Sequence, residues 1–435
     1  MNIALINHGC AKNLVDAELM LGIIAKKGHN ITLDENNADV VIINTCSFIH
    51  DAEQESVQSI LQMIEQGKKV IVTGCLSQKY NEELKQAIPE ISGMIGTSNL
   101  NDVVTIIESI EKGKNYTSII EESPKYIYPE NTERQQITMG ASSYIKIGEG
   151  CNYSCGYCII PQLRGKYISR PIENIVNEAK QLAKKGVTEI ILIAQDTSSY
   201  GIDLYKKQAL PLLLEELNKI DGISWIRIMY AYPTQMTDEL IEAIARLDKV
   251  VKYVDIPLQH SHPRVLESMR RPVMDYRELI KKIRKKIPEV TIRTSLIVGY
   301  PGETEEEFED LYNFVKDVKF DRMGAFEYSR EKNTYSYSLK PQISAKIKKQ
   351  RKDKLMKLQQ KISLESNKKY IGTTLNCIVE GFTDEGVIIL RSEHDAPEID
   401  GLVYATSNNS VVPGDIEKVK IDKVDEYDLF GKIIN

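Results

Sequence analysis

Gly150-Cys151-Asn152-Tyr153-Ser154-Cys155-Gly156-Tyr157-Cys158-Ile159-Ile160-Pro161 follows directly on an alternating apolar strand, Tyr144 to Ile147. Its three cysteines stand at C-x3-C-x2-C spacing. Thiolates are soft ligands, and a compact run of them selects zinc or an iron–sulfur cluster. Zinc sites usually come as two C-x2-C pairs, or as one pair with histidines nearby. Neither follows here, since the next cysteine is Cys377. A cuboidal 4Fe–4S cluster normally takes four thiolates, so three would leave one iron open to a substrate or cofactor. A structural metal knot, or three buried thiols, is the plainer alternative.

With Tyr157 before its last cysteine, the motif resembles the signature of the radical S-adenosylmethionine enzymes. The resemblance implies that the open iron chelates S-adenosylmethionine, that an electron from the cluster splits it to a deoxyadenosyl radical, and that Tyr157 lies near the adenine.

Outward from the motif, residues 142 to 330 hold six strand-like runs: 143–147, 188–194, 225–230, 252–256, 291–298 and 323–328. Helical stretches such as 172–185, 236–247 and 304–317 separate them. This repeated βα pattern fits an open six-unit barrel, a partial (β/α)6 barrel, with the cysteines at the carboxyl end of its first strand, where such barrels place chemistry. Later strand ends offer Gln195, Asp196, Gly299 and Gly302 as cofactor-binding candidates, the glycines because a bare backbone lets a ligand approach. His260 and His262 lack a third partner for a metal.

Residues 1 to about 110 alternate short apolar runs with amphipathic stretches, which implies an open parallel sheet with helices on its faces. Asn2 to Ile6, Asp39 to Ile43 and Lys69 to Val72 read as strands, each followed by a cysteine: Cys10, Cys46 and Cys75. Ligand sites in open α/β sheets lie outside the carboxyl ends of strands, so three distant cysteines can converge there on a second iron–sulfur site. Three unrelated buried cysteines are the alternative.

Between about 112 and 140 the chain loses periodicity and reads as a linker. Pro341 to Tyr370 carries ten Lys or Arg against two acids, a helix with a solvated basic face or a nucleic-acid contact. From Ile371 short β-like runs with turn residues suggest a small barrel. That segment has thirteen Asp or Glu and five Lys or Arg, so its net charge is 5 − 13 = −8. Nucleic-acid affinity rests largely on cations that neutralise phosphates, so an acidic barrel fits a basic protein partner better than RNA. Asp395, Glu398 and Asp400 cluster in it as partner-binding candidates.

Gly9-Cys10-Ala11-Lys12-Asn13-Leu14-Val15-Asp16, Ile43-Asn44-Thr45-Cys46-Ser47 and Thr73-Gly74-Cys75-Leu76-Ser77-Gln78 resemble the N-terminal domain of the methylthiotransferases. Gln195-Asp196-Thr197-Ser198-Ser199-Tyr200-Gly201, Pro257-Leu258-Gln259-His260 and Asp395-Ala396-Pro397-Glu398-Ile399-Asp400-Gly401 narrow the resemblance to the branch that acts on ribosomal protein S-twelve. One departure is Gly148, where a polar residue is usual. The resemblance implies three domains: 1–112 with an auxiliary 4Fe–4S cluster on Cys10, Cys46 and Cys75; a radical S-adenosylmethionine core, 141–340, with a cluster on Cys151, Cys155 and Cys158; and a TRAM/OB-like β-barrel, 371–435. It further implies methylthiolation of an aspartate β-carbon in that ribosomal protein, using two S-adenosylmethionine molecules, an electron donor and a sulfur source. A tRNA adenosine methylthiotransferase, and a non-catalytic iron–sulfur carrier or RNA-binding scaffold, are the alternatives. No apolar run reaches the roughly 18 residues of a membrane span and no basic signal region opens the chain, so a cytoplasmic location without membrane contact is expected.

Overall fold

The computed structural model describes residues 1–435 except 48, 49, 99, 115, 122–124, 126, 127, 129–133, 138, 139 and 435. Of the stretch expected as a linker, much of 122–139 lies outside the described residues, while its start is corrected: Thr117–Ile119 is a strand of the first sheet. Two compact units emerge, one of residues 1–139, 148–154 and 158–170, the other of 140–147, 155–157 and 171–435. Among the described residues, no helix is long and apolar enough to cross a membrane.

In the first unit β1 (Asn2–Asn7), β2 (Asn30–Ile31), β3 (Val40–Thr45), β4 (Lys69–Gly74), β5 (Gly93–Ile95) and β6 (Thr117–Ile119) form one sheet in the order β2-β1-β3-β4-β5-β6. Every pairing is parallel. β3 is buried along its whole length, as a central parallel strand covered on both faces must be, which is why it reads as an unbroken apolar run. Its Val41 and Ile43 pack with Val70 and Val72 of β4 and with Ile60. The strand order reverses between β1 and β3, and such a switch point opens a crevice at the carboxyl edge.

β7 (Ser142–Lys146) belongs to the second unit, after which the chain returns to the first as an antiparallel pair, β8 (Gly148–Glu149) with β9 (Ile168–Ser169). The second unit continues with β10 (Glu189–Ile193), β11 (Trp225–Ile228), β12 (Tyr253–Asp255), β13 (Thr291–Val298) and β14 (Arg322–Glu327). These strands form two parallel three-stranded sheets, β7-β10-β11 and β12-β13-β14. A bridge between Ile226 and Val250 carries the first sheet toward the second. Six strands in sequential order with helices between them are the expected open barrel. The helix Ala345–Asn367 follows, and then β15 (Thr374–Phe382), β16 (Ile388–Ser392), β17 (Val403–Thr406), β18 (Ile416–Val424) and β19 (Leu429–Ile434) close a small barrel in the order β15-β16-β17-β19-β18. Cys377 lies in that barrel's apolar core.

Within the second unit, buried ion pairs fasten this barrel to the βα core. Glu189 of β10 binds the Arg391 guanidinium, and Arg227 Nε at 2.8 Å. Burial works against the Glu189 carboxylate, but the two arginines outweigh it and bring it down to about 2. Here the expectation for the acidic segment is corrected. Asp395 is 1% exposed and accepts from Arg322 Nε and Nη2 at 2.8 and 2.6 Å. Asp400 accepts from Tyr253 Oη at 2.6 Å and pairs with Arg293 at 3.5 Å. Neither can face a partner, because buried arginines of the core need their charges. Of the three acids only Glu398 is exposed.

Candidate metal and cofactor site

The crevice at the switch point is where the first three cysteines stand. Cys10 caps the helix Ala11–Lys26 just after β1, Cys46 directly follows β3, and Cys75 opens the helix Cys75–Lys79 after β4. β1, β3 and β4 are adjacent strands, so the three thiols share one edge. A Cβ on Gly9 would lie 3.2 Å from Cys46 Sγ, which puts Cys46 against the backbone beside Cys10. Burial pushes the Cys75 thiol up, Arg164 pulls it down, and Cys10 is near enough to push it up again. Among the described residues no three His, Cys, Asp or Glu side chains are placed to hold a single metal ion. A four-iron cube is larger, with its thiolates on separate corners, and three soft donors converging from three strand ends fit it.

Arg164 enters this edge from the segment after Cys158. Its side chain is 3% exposed. Nη2 donates to Asn13 Oδ1 at 2.6 Å and reaches Cys75 Sγ at 3.5 Å, while Nη1 donates to Asp16 Oδ2 at 2.9 Å and Glu149 Oε2 at 3.2 Å. Glu149 is two residues before Cys151, whose N–H donates to Gly165 O at 3.1 Å. The loop closes only because Gly150 has φ +80° and no side chain: a Cβ there would lie 2.3 Å from Lys166 O. Gly148, the departure noted above, has a similar cause, since its Cβ would meet Tyr167 Oη at 2.7 Å.

In the second unit, Cys155 Sγ lies 4.0 Å from Arg271 Nη1. Arg271 is 7% exposed and is fixed by Pro257 O at 2.5 Å and by the Tyr232 ring at 4.4 Å. Gly156 N donates to Met269 O at 2.7 Å, and its carbonyl accepts from Ser336 N at 2.8 Å. Tyr157 then packs on Val265, Met269, Tyr300 and Tyr328, so Tyr157 meets the segment that follows β13.

That segment is held by Glu303. Its Oε2 accepts from Gly299 N at 2.7 Å and Tyr300 N at 3.1 Å, and its Oε1 from Arg351 Nη1 at 2.8 Å. Burial pushes the carboxyl up to about 7 against the pull of Arg351. Gly299 and Gly302 have φ of +72° and +76°. The space a Cβ would fill on Gly299 is taken by Lys348, 2.4 Å away, so its bareness admits this chain's own helix, not a ligand. Gln195 and Asp196 follow β10 as expected. The Asp196 carboxylate accepts from Ser198 N at 3.0 Å, Ser198 Oγ at 2.6 Å and Ser199 N at 3.3 Å, which makes it the cap of its own turn. His260 Nδ1 accepts from His262 N at 3.0 Å, and burial lowers the ring to about 3, a neutral core histidine.

Sequence reading reached Glu303 only as the end of the Gly299-Tyr300-Pro301-Gly302-Glu303 stretch after the fifth strand, and it missed Arg164, Arg271 and Arg351. Isolated charges carry no periodic signal, and the last was taken for part of a solvated face.

A model described as the radical SAM superfamily matches residues 145–315, one described as uncharacterized protein family UPF0004 matches 2–96, and the TRAM domain matches 371–434. Among solved structures, a radical S-adenosylmethionine methyltransferase, TsrM, from Kitasatospora setae is 14% identical with a TM-score of 0.59, over 77% of this chain and 76% of that one, a likeness of fold. Curated relatives named ribosomal protein uS12 methylthiotransferase RimO are far nearer in sequence. That of Caldanaerobacter subterraneus subsp. tengcongensis is 51% identical over 99% of both chains, and that of Clostridioides difficile 45% over 100% of this chain and 99% of its own. At such identity over its whole length, with all three domain models matched in order, this chain belongs to the RimO methylthiotransferase family of radical S-adenosylmethionine enzymes.

Proposed function

We propose that this protein inserts a methylthio group at the β-carbon of an aspartate of ribosomal protein uS12, using two 4Fe–4S clusters and two S-adenosylmethionine molecules. The observation that carries the reading is the convergence of Cys10, Cys46 and Cys75 on three adjacent strand ends, apart in sequence from the C-x3-C-x2-C loop. The names of the full-length relatives support the ribosomal substrate. A ribosomal substrate fits a cytoplasmic location.

An unactivated C–H bond has no acidic proton, so side-chain acid–base chemistry cannot open it readily, and the protein's part is position and electrostatics. Cys151, Cys155 and Cys158 would hold a cluster whose chemistry, when bound, would be electron supply for cleaving S-adenosylmethionine, and Cys10, Cys46 and Cys75 would hold one whose chemistry would be sulfur supply. Tyr157, wedged against Tyr300 and Tyr328, gives a rigid apolar wall for an adenine. Glu303 fixes the Gly299–Tyr300 backbone behind that wall. Arg271 keeps a fixed positive charge near Cys155. An electron donor and a sulfur source come from outside the chain.

Reconstituted protein with reductant, sulfide and S-adenosylmethionine, offered uS12 and tRNA side by side, tests the substrate. Modified uS12 with unmodified tRNA is expected, and the reverse makes this a tRNA enzyme. Cys155→Ala should abolish deoxyadenosine formation. Cys46→Ala should leave it intact and stop the methylthio product. Full product from Cys46→Ala would remove the second cluster from the mechanism.

A further inference from the structure

Within the first unit, the contacts of Arg164 reach from the first cysteine group to the Cys151 loop. Its guanidinium has Cys75 Sγ at 3.5 Å on one side and Glu149 Oε2 at 3.2 Å on the other, and the carbonyl of the next residue, Gly165, holds the Cys151 N–H. Asn13 and Asp16, both on the helix that Cys10 caps, fix the fork from a third direction at 2.6 and 2.9 Å. Burying a guanidinium is costly unless it is paired and hydrogen-bonded. Arg164 has two carboxylates as partners, and it also turns an N–H group to a cysteine sulfur.

We propose that Arg164 is a positioning residue of the reaction: it holds its charge against Cys75 to set the redox poise of the cluster on Cys10, Cys46 and Cys75, with Glu149 and Asp16 as its counterweights. This rests on the two-cluster reading above. A reduced cluster carries one more negative charge than an oxidised one. A fixed cation and an N–H donor at one of its sulfurs therefore favour reduction and raise the potential. A carboxylate on the far side of the same guanidinium draws that charge away and lowers it. Both effects act on a group that stays charged throughout, so they differ from the loss of a ligand.

The test is a potentiometric titration of the reconstituted full-length protein, followed by electron paramagnetic resonance. A Cys151, Cys155 and Cys158 triple alanine variant assigns the second cluster's signal. Arg164→Gln should move that cluster to a more negative potential, Arg164→Lys should restore part of the shift, and Glu149→Gln should move it to a more positive potential. Opposite shifts from Arg164→Gln and Glu149→Gln support the proposal. An unmoved potential in both, with iron content unchanged, overturns it. Should Arg164→Gln fail to fold or to hold iron, Glu149→Gln decides alone, since it keeps the cation and all six cysteines: a positive shift supports the role and no shift overturns it. Iron content separates this from the underlying reading, because about four irons per wild-type chain in place of about eight would mean that the second cluster itself is absent.

Discussion

Glu303 shows how one buried carboxylate can tie the loop after β13 to pH. Its ionised form accepts from Gly299 N, Tyr300 N and Arg351, while burial holds its carboxyl at about 7, above the ordinary carboxylate value. The folded state therefore binds this proton more tightly than the unfolded chain. The stability it contributes is present below about 4.5 and lost as pH rises through about 7. Loop geometry runs the opposite way, since a protonated carboxyl gives up its pairing with Arg351. Affinity for S-adenosylmethionine, measured by equilibrium binding, should fall as pH drops below about 7. Glu303→Gln should bind more weakly and show little pH dependence. A wild-type affinity flat across neutrality would remove Glu303 from the site's control.

Among the elements, the small barrel is bound to the βα core by charge as much as by apolar area. Asp395 and Arg322 are both buried, so Asp395→Ala leaves a guanidinium without its counter-ion, a change that typically costs about 3–5 kcal/mol. A lower urea midpoint is expected. A loss under about 0.5 kcal/mol, typical of surface changes, would mean that the pair is dispensable. This contact also marks where sequence reading stopped. β3 and β10 were legible because a strand covered on both faces must be apolar throughout, and the cysteines because they fell at strand ends. The two-residue β2 and the three-residue β5 and β6 are too short to show a period. Arg322 with Asp395, and Glu189 with Arg391, are partners 73 and 202 positions apart, and nothing local in the sequence marks a charge as buried. Asp395 and Asp400 thus read as a surface cluster, and Arg164 as an ordinary residue after Pro161.

Taken whole, the chain carries −6, and its last 65 residues carry −8. With Asp395 and Asp400 turned inward against arginines, any long-range field from the barrel must come from the acids that remain exposed, among them Asp384, Glu385, Glu398 and Asp422. Asp384 and Glu385 sit in the turn between β15 and β16, far in sequence from the six cysteines proposed as cluster ligands and in no ion pair among the described residues. A basic ribosomal protein approaching such a surface is steered by charge, over a range that salt limits to about 8–10 Å near physiological strength. Asp384→Lys combined with Glu385→Lys should therefore lower kcat/KM for uS12 at low salt. The gap to wild type should close as salt is added, because steering acts on encounter and is screened. Cleavage of S-adenosylmethionine without uS12 should stay as in wild type, since neither residue touches the site. If the double variant matches wild type at low salt, the barrel's acidity serves solubility and the partner is recognised by contact alone.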